Sequence, residues 1–346
     1  MPAFARRFID LTPAIRAPGS GVGIATRHAF EAIRRLDPSV MGACRIRGGR
    51  YHWIHPLERL MGRDATLYHS FEHRMPPLAR GKRLLSLHDL WTLRPGNAWQ
   101  APEFQKRQAP LLDQAIRRAD WITTPSRAVL RQLHELFPET RARSQCVPWG
   151  PTLDPEAIRA SEGRQHPIER RYFLTVANFE ARKNLPFLLT ALEGLSGFDW
   201  VFAGSLGHGG GTILAEMQDF ASRSKIGFHF LHDLTSDGLS ELYRHAEAVV
   251  LPSLDEGFGL PALEAASLSR PLVLANIEPF REIAIDGALY FDPVHGAEAL
   301  RAHLLQLLED PALGRRLGTQ SFLRSQLFSW EKSAQAFIDI HRRLEG

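Results

Sequence analysis

The chain has 346 residues, of which 44% are hydrophobic and 23% charged. This length is too great for one ordinary hydrophobic core and fits two globular domains of roughly 150–180 residues. Its two cysteines, Cys44 and Cys146, lie far apart in the sequence, which excludes a disulfide framework and a Cys-x-x-Cys metal site. The sequence has no apolar run of about 20 residues and no signal-peptide segment. We therefore expect a cytoplasmic protein. Residues 1–165 carry a net charge of +11, and the remaining residues carry −7. A basic half can bind nucleic acid, an anionic membrane surface or an anionic substrate, or it can reflect an arginine-rich composition without a binding role. Because the arginines are dispersed, nucleic acid is the weakest of these interpretations.

Strand-like and helix-like segments alternate in the first half, the pattern of α/β folds with parallel sheets. The predicted elements there are a glycine loop at Gly19–Gly23, a helix at Ile24–Leu36, a strand at Arg83–Leu87, a helix at Phe104–Ala119, a strand at Trp121–Thr124 and a helix at Ala128–Leu136 with Ser126 as its cap.

The same alternation resumes after a polar linker at Arg159–Arg170. The predicted strands are Tyr172–Val176, Trp200–Ala203, Phe228–Leu231, Ala248–Leu251 and Pro271–Leu274; the predicted helices are Leu185–Leu195, Leu239–His245 and Trp330–Leu344. Two doubly wound sheets imply ligands at the carboxyl ends of their strands.

The segment 252–265 carries the sharpest chemical pattern. A strand ends before it, a loop with two glycines follows, and a helix begins near Gly259 and Leu260. The free N–H groups of that helix start, with about +0.5 of a charge, suit a phosphate. Glu256 and Glu264 lie eight residues apart and can face one site, where carboxylates accept hydrogen bonds from sugar hydroxyls. Either glutamate alone would more often be a cap or a solvated side chain.

This segment, E-G-F-G-L-P-x-x-E-A, resembles the signature of the retaining glycosyltransferases of family 4 (glycosyl transferases group 1), which have the GT-B fold and include mannosyltransferases. Six further segments resemble elements of that family in the same order: Gly21–Gly23, His88–Leu90, Val147–Gly150, Arg182–Asn184, Leu239–Ser253 and Phe328–Glu331.

The resemblance implies an α/β protein of two Rossmann-like, doubly wound domains facing across a cleft. Residues 1–165 would form the acceptor-binding domain and residues 166–328 the nucleotide-sugar domain. The helix of residues 329–346 would cross back and pack on the N-terminal domain.

The resemblance also implies the catalytic roles. Glu256 would hold the hydroxyls of the transferred sugar, and Lys183, helped by Arg182, would neutralise the diphosphate. His88 would contact the reacting sugar and shield its oxocarbenium-like centre. The family's accepted mechanism is a same-face displacement in which the departing phosphate takes the acceptor's proton, so no protein base is assigned.

The remaining predicted donor-binding positions are strand ends, glycines and the start of the helix after the signature loop. They are Gly21, Gly23, Asn178, Gly204, Leu234, Phe258, Gly259, Leu260 and Glu264, of which Glu264 would bind the ribose hydroxyls. Asn178 stands near where many members have Gly-Arg, so Arg182 is expected to take over that positive charge. With no D-x-D triplet and no metal-ligand spacing among the histidines, neither a metal nor another cofactor is expected.

The predicted function is the transfer of a hexose, with mannose and a GDP-sugar favoured over a UDP-sugar, to a glycan or lipid-linked acceptor in surface polysaccharide or lipopolysaccharide synthesis. The basic N-terminal domain would make peripheral contact with the anionic inner membrane face. Two alternatives stay open: a nucleotide-sugar epimerase or hydrolase on the same fold, which would need carboxylates able to activate water or abstract a proton, and an inactive carbohydrate-binding protein.

Overall fold

The computed structural model describes residues 6–45, 51–53, 65–73, 81–94, 99–153, 158 and 168–346. These residues form two compact units. The first comprises Met1–Thr152 and Phe328–Gly346, and the second comprises Leu153–Leu327. Most of the predicted linker, Arg159–Arg170, lies outside the described residues.

The described strands of the first unit form one sheet, which is parallel except for its edge strand β3. They are β1 (Arg7–Asp10), β2 (Met41–Arg45), β3 (Tyr51–Trp53), β4 (Leu67–Ser70), β5 (Lys82–Ser86), β6 (Trp121–Thr124) and β7 (Ser144–Cys146), in the order β3-β2-β1-β4-β5-β6-β7.

Four helices of this unit precede residue 153 in the described part of the chain. They are α1 (Thr12–Arg16), α2 (Gly21–Leu36), α3 (Pro102–Arg118) and α4 (Arg127–Leu136). Ser126 caps α4 by accepting a hydrogen bond from the Val129 N–H, as predicted. The prediction of a loop through Gly23 is wrong, because Ser20 caps α2 by accepting from the Gly23 N–H and the helix therefore begins at Gly21.

All strands of the second unit's sheet are parallel, and their order is β10-β9-β8-β11-β12-β13. They are β8 (Tyr172–Val176), β9 (Ser196–Ala203), β10 (Lys225–Leu231), β11 (Ala248–Leu251), β12 (Leu272–Ala275) and β13 (Ala288–Phe291). The order of the strands reverses between β8 and β11. In such sheets the carboxyl ends of the two strands at the reversal open a crevice for ligands.

Seven helices accompany these strands in the described residues. They are α5 (Leu185–Leu192), α6 (Gly210–Arg223), α7 (Ser236–His245), α8 (Leu260–Ser267), α9 (Glu278–Ala284), α10 (Ala297–Glu309) and α11 (Pro311–Ser325). The strands β8, β11 and β12 are buried almost throughout. This burial on both faces explains why they read as continuous apolar runs in the sequence.

The last helix, α12 (Trp330–Glu345), belongs to the first unit and packs against α2. Its first turn is tied to the segment before residue 153. The Trp330 indole N–H donates to the Pro151 carbonyl at 2.9 Å, and the Ser333 hydroxyl donates to the Pro148 carbonyl at 2.6 Å. These bonds to backbone fix where the helix begins against the first unit.

The first turn of α2 offers a matched pair of glycines. A Cβ on Gly23 would lie 2.1 Å from the Ala17 carbonyl oxygen, whereas one on Gly21 would meet nothing within 4 Å. We expect Gly23→Ala to lower the free energy of unfolding by about 2 kcal/mol or more through overpacking. Gly21→Ala should be neutral or up to about 1 kcal/mol stabilising, since alanine favours helix. Denaturant unfolding measures both, and equal effects would contradict this account of α2.

Candidate active site

Two loops meet where the strand order of the second unit reverses. The chain after β8 forms a single 3-10 turn at Ala181–Lys183 and then α5. The chain after β11 forms the loop 252–259 and then α8. Asn184 joins them, because its side-chain amide donates to the Pro252 carbonyl at 3.2 Å. The backbone of Asn184 adopts the left-handed conformation, with φ 56°. The two loops are thus held as one structure.

Glu256 is the centre of a buried ion-pair cluster between these loops. Its Oε1 accepts from the Lys183 Nζ at 2.6 Å and from the Ser253 hydroxyl at 2.8 Å. Its Oε2 accepts from the Arg182 Nη1 at 3.1 Å. The three charged side chains are each only 10–12% exposed. The structure therefore brings three of the four predicted catalytic residues into direct contact.

Backbone groups complete the cluster. The Arg182 Nη1 also donates to the Asp255 carbonyl at 2.8 Å, and the Arg182 carbonyl accepts from the Leu254 N–H at 2.9 Å. The Glu256 N–H donates to the Asp255 carboxylate at 2.8 Å. Arg182 is thus held on the loop that carries Glu256, and its predicted action on a diphosphate stays a prediction.

The charges of the cluster oppose the cost of burial. Burial favours the neutral carboxyl of Glu256, but the positive charges of Lys183 and Arg182 outweigh it and lower the pKa of Glu256 to about 2. Burial lowers the pKa of Lys183, and its contact with Glu256 opposes that shift. Loss of the carboxylate would therefore leave a buried cation without its counterion.

The helix α8 starts beside this cluster in sequence. Its N-cap, Gly259, has φ 106°, and an added Cβ would lie 2.8 Å from the Phe280 ring. Only glycine satisfies both restrictions. Among the described residues no side chain caps this helix start, and Phe258 and Leu260 flank it, buried. An uncapped helix N-terminus presents N–H groups that can bind an anion.

Glu264 lies further along α8 and is buried, with 7% of the residue exposed. Its Oε2 accepts a hydrogen bond from the Tyr243 hydroxyl at 2.8 Å. Tyr243 is itself fully buried in α7.

The other predicted donor-binding residues of this unit lie at ends of strands or before helices. Asn178 follows β8, and its side-chain oxygen accepts from the Ser205 N–H at 3.3 Å. Gly204 follows β9, where a Cβ would lie 2.0 Å from the Ala177 carbonyl oxygen. Leu234 precedes α7 and is 37% exposed. Their contact with a nucleotide stays a prediction.

His88 lies in the first unit, two residues after the end of β5. Its Nε2 bonds to the Phe71 carbonyl oxygen at 2.6 Å, and its ring packs edge-on against Trp149 with centroids 5.0 Å apart. Because a carbonyl only accepts, Nε2 carries the hydrogen and Nδ1 carries the lone pair. Burial lowers the pKa of His88 to about 4, so the ring is neutral near pH 7.

Gly21 and Gly23 also lie in the first unit, in the first turn of α2. The Gly23 N–H is used by the Ser20 cap, and its missing side chain makes room for the backbone of α1 and the following residues. Gly23 therefore has a packing role that its pattern in the sequence did not indicate.

Three contributors to the site escaped prediction as such. Ser253 and Asp255 lie in the segment 252–265 but had no assigned role, and Tyr243 lies in the segment Leu239–Ser253. The contact of Tyr243 with Glu264 joins two helices through tertiary packing. Ser253 and Asp255 lie three residues and one residue before Glu256, so their proximity in sequence could have signalled a role. In the part of the chain that the structure describes, no group of three His, Cys, Asp or Glu side chains is arranged to hold a metal ion.

Residues 158–324 match the family model described as Glycosyl transferases group 1. The O-antigen chain mannosyltransferase B of Escherichia coli is 30% identical over 178 residues, which are 50% of this chain and 46% of that protein. The matched segment thus covers less than half of this relative.

Two solved structures share the fold over nearly the whole chain. Sucrose-phosphate synthase from Thermosynechococcus elongatus superposes with a TM-score of 0.78 at 20% identity, covering 98% of this chain and 99% of that one. HepE from Anabaena, in complex with UDP and glucose, has a TM-score of 0.72 at 15% identity, covering 96% and 98%. The predicted fold class, two Rossmann-like domains of the GT-B type, is confirmed.

The ion-pair cluster predicts a specific pattern of stability. We expect Glu256→Gln to lower the free energy of unfolding by about 3–5 kcal/mol, because it leaves the buried Lys183 without the carboxylate that it bonds to and takes one of two neighbouring carboxylates away from Arg182. Glu180→Gln is the matched control, since Glu180 is 32% exposed and lies 3.6 Å from Arg182; its loss should cost less than about 1 kcal/mol. Denaturant unfolding of the variants measures both, and equal losses would contradict the cluster's role.

The wild type and Glu256→Gln should also differ in how their stability depends on pH. The folded pKa of Glu256, about 2, lies below its ordinary value of 4.5. Its stabilising contribution is therefore complete above pH 4.5 and is lost as the pH falls toward 2. The stability difference between the wild type and Glu256→Gln should shrink on acidification over this range. A difference that stayed constant from pH 7 to pH 3 would show that Glu256 is not held as a paired carboxylate.

Proposed function

We propose that this chain, whose residues 158–324 belong to the glycosyl transferases group 1 family, is a retaining hexosyltransferase. It moves a hexose from a nucleotide diphosphate sugar to a glycan or lipid-linked acceptor in surface polysaccharide synthesis. The observation that carries the proposal is the contact of Lys183 and Arg182 with Glu256 at the carboxyl ends of β8 and β11.

Lys183 supplies the charge that the reaction needs. Breaking the bond between the sugar and its phosphate builds negative charge on the departing diphosphate, and a fixed cation there lowers the barrier. Before the donor binds, Glu256 is the counterion of Lys183. When it binds, the diphosphate takes over Lys183 and the sugar hydroxyls donate to Glu256, so that neither buried charge is left unpaired.

The start of α8 and Glu264 supply the rest of the donor site. The N–H groups near Gly259 and Leu260 face the phosphates, where the helix dipole favours negative charge. Glu264 accepts hydrogen bonds from the ribose hydroxyls.

The substitution retains the anomeric configuration. The bond from the anomeric carbon to the phosphate oxygen breaks while the acceptor oxygen bonds to the same face of that carbon. The acceptor's proton passes to the departing phosphate oxygen, so the protein needs no base. The lowered pKa of His88 keeps its ring neutral near pH 7, and its contact with the reacting sugar stays a prediction.

GDP-mannose is the donor to test first. The support is the likeness over 178 residues to a protein described as an O-antigen chain mannosyltransferase. A solved structure of the same fold that holds UDP and glucose makes a UDP-sugar the alternative.

The exposed face of α3 supports peripheral contact with an anionic membrane. Phe104 and Leu111 are 42% and 39% exposed, and Arg107 and Arg118 are exposed on the same stripe of the helix at spacings of three, four and seven residues. Exposed apolar side chains beside cations suit the boundary between anionic headgroups and acyl chains. None of the helices in the described ranges has the length and apolar character to cross a bilayer.

Nucleotide binding tests the donor site. GDP or UDP at 100 times its dissociation constant should stabilise the protein by about 2.7 kcal/mol in a thermal-shift panel. Lys183→Met should weaken binding by about 10–100-fold and lower turnover by about 10²–10³. Lys225→Met, which removes an exposed lysine at the start of β10, is the matched control and should bind normally. If the wild type binds neither a nucleotide diphosphate nor a nucleotide sugar, the proposed function is refuted.

Vesicle sedimentation tests the membrane contact. The wild type should bind vesicles that contain anionic lipid at low salt, and binding should weaken as salt screens the arginines. Phe104→Glu should reduce binding at least about fivefold, because it places a charge in the apolar face. Leu136→Glu, at a 44% exposed position on α4, is the control and should bind normally. If the wild type does not bind these vesicles, or if both variants lose binding equally, α3 is not the helix that contacts the membrane.

A further inference from the structure

The hydroxyl of Tyr243 donates to the carboxylate of Glu264. The two side chains lie on different helices, α7 and α8, and are separated by 21 residues in the chain, yet their oxygen atoms are 2.8 Å apart. Tyr243 is fully buried and Glu264 is 7% exposed. A phenylalanine would fill nearly the same volume, so packing alone does not account for the hydroxyl at this position.

A buried carboxylate needs hydrogen-bond donors to stay ionised and to keep one orientation. The Tyr243 hydroxyl donates to Oε2 of Glu264. Burial, the first cause, and the charge of Glu264 raise the pKa of Tyr243 well above its ordinary value, so the phenol stays protonated and remains a donor. An ionised carboxylate has about four lone-pair sites, so it can accept from the Tyr243 hydroxyl and from further hydroxyl groups at the same time.

We propose that Tyr243 is a positioning residue of the nucleotide site, which fixes the carboxylate of Glu264 so that it can accept hydrogen bonds from both ribose hydroxyls. This inference rests on the proposed function, because it takes Glu264 as the ribose-binding carboxylate. Tyr243 does not touch the nucleotide itself. It acts by holding one oxygen of Glu264 and thereby orienting the other.

Tyr172 provides a matched control in the same unit. It is 1% exposed, and its hydroxyl donates to the Leu242 carbonyl at 2.8 Å. Tyr172→Phe and Tyr243→Phe therefore each remove one buried, hydrogen-bonded hydroxyl and keep the ring. Only the second removes a partner of Glu264, so general destabilisation is separated from loss of orientation.

The experiment measures, by calorimetry, how strongly the protein prefers a nucleoside diphosphate to its 2′,3′-dideoxy analogue, with guanosine and uridine compounds both tried. A site whose buried carboxylate bonds to the ribose hydroxyls should prefer the ribose form by about tenfold or more. Tyr243→Phe should remove most of that preference, whereas Tyr172→Phe should keep it. In a Glu264→Gln background, Tyr243→Phe should have no further effect on the preference.

The outcomes separate the two proposals. A wild type that binds no nucleoside diphosphate refutes the proposed function, and this inference with it. A wild type that binds and prefers ribose, beside a Tyr243→Phe variant with the same preference, overturns the inference and leaves the function standing. Equal loss of preference in Tyr172→Phe also overturns it, because the effect would then be one of stability alone.

Discussion

This site depends on the burial of one charged side chain, the carboxylate of Glu256. Burying an ion is costly unless opposite charges and hydrogen bonds compensate for its lost hydration. Lys183, Arg182 and the Ser253 hydroxyl do so here, and the backbone around Asp255 fixes the geometry. The same three charged groups that make the cluster stable are those that a diphosphate sugar would engage, so stability of the free protein and recognition of the donor involve the same groups.

The parallel sheet of the second unit explains why these groups meet. Its strand order reverses between β8 and β11, and in such sheets ligands bind beyond the carboxyl ends of the strands at the reversal. One loop brings the cations and the other brings Glu256 and the start of α8. Residues some 70 positions apart in the chain therefore become neighbours without any unusual backbone except at Asn184 and Gly259. Both have left-handed conformations where their loops enter helices.

The sequence predicted the buried strands well and the contacts of the site only in part. β8 and β11 begin and end at the predicted residues, because parallel strands covered on both faces are short apolar runs with polar or turn residues around them. The helices α6 and α9–α11 were not predicted. That Lys183 bonds to Glu256 could not be predicted from spacing, because the register of two distant loops is set by tertiary packing.

The central claim is that donor binding exchanges the partners of Lys183 and Glu256, and a crystal structure with a bound nucleotide sugar tests it most directly. The account predicts that the Lys183 Nζ bonds to a diphosphate oxygen and that the Glu256 carboxylate accepts from a sugar hydroxyl, with the direct bond between the two residues broken. A structure in which the nucleotide sugar lies away from the start of α8, and in which Lys183 still donates to Glu256 at 2.6 Å, would contradict it.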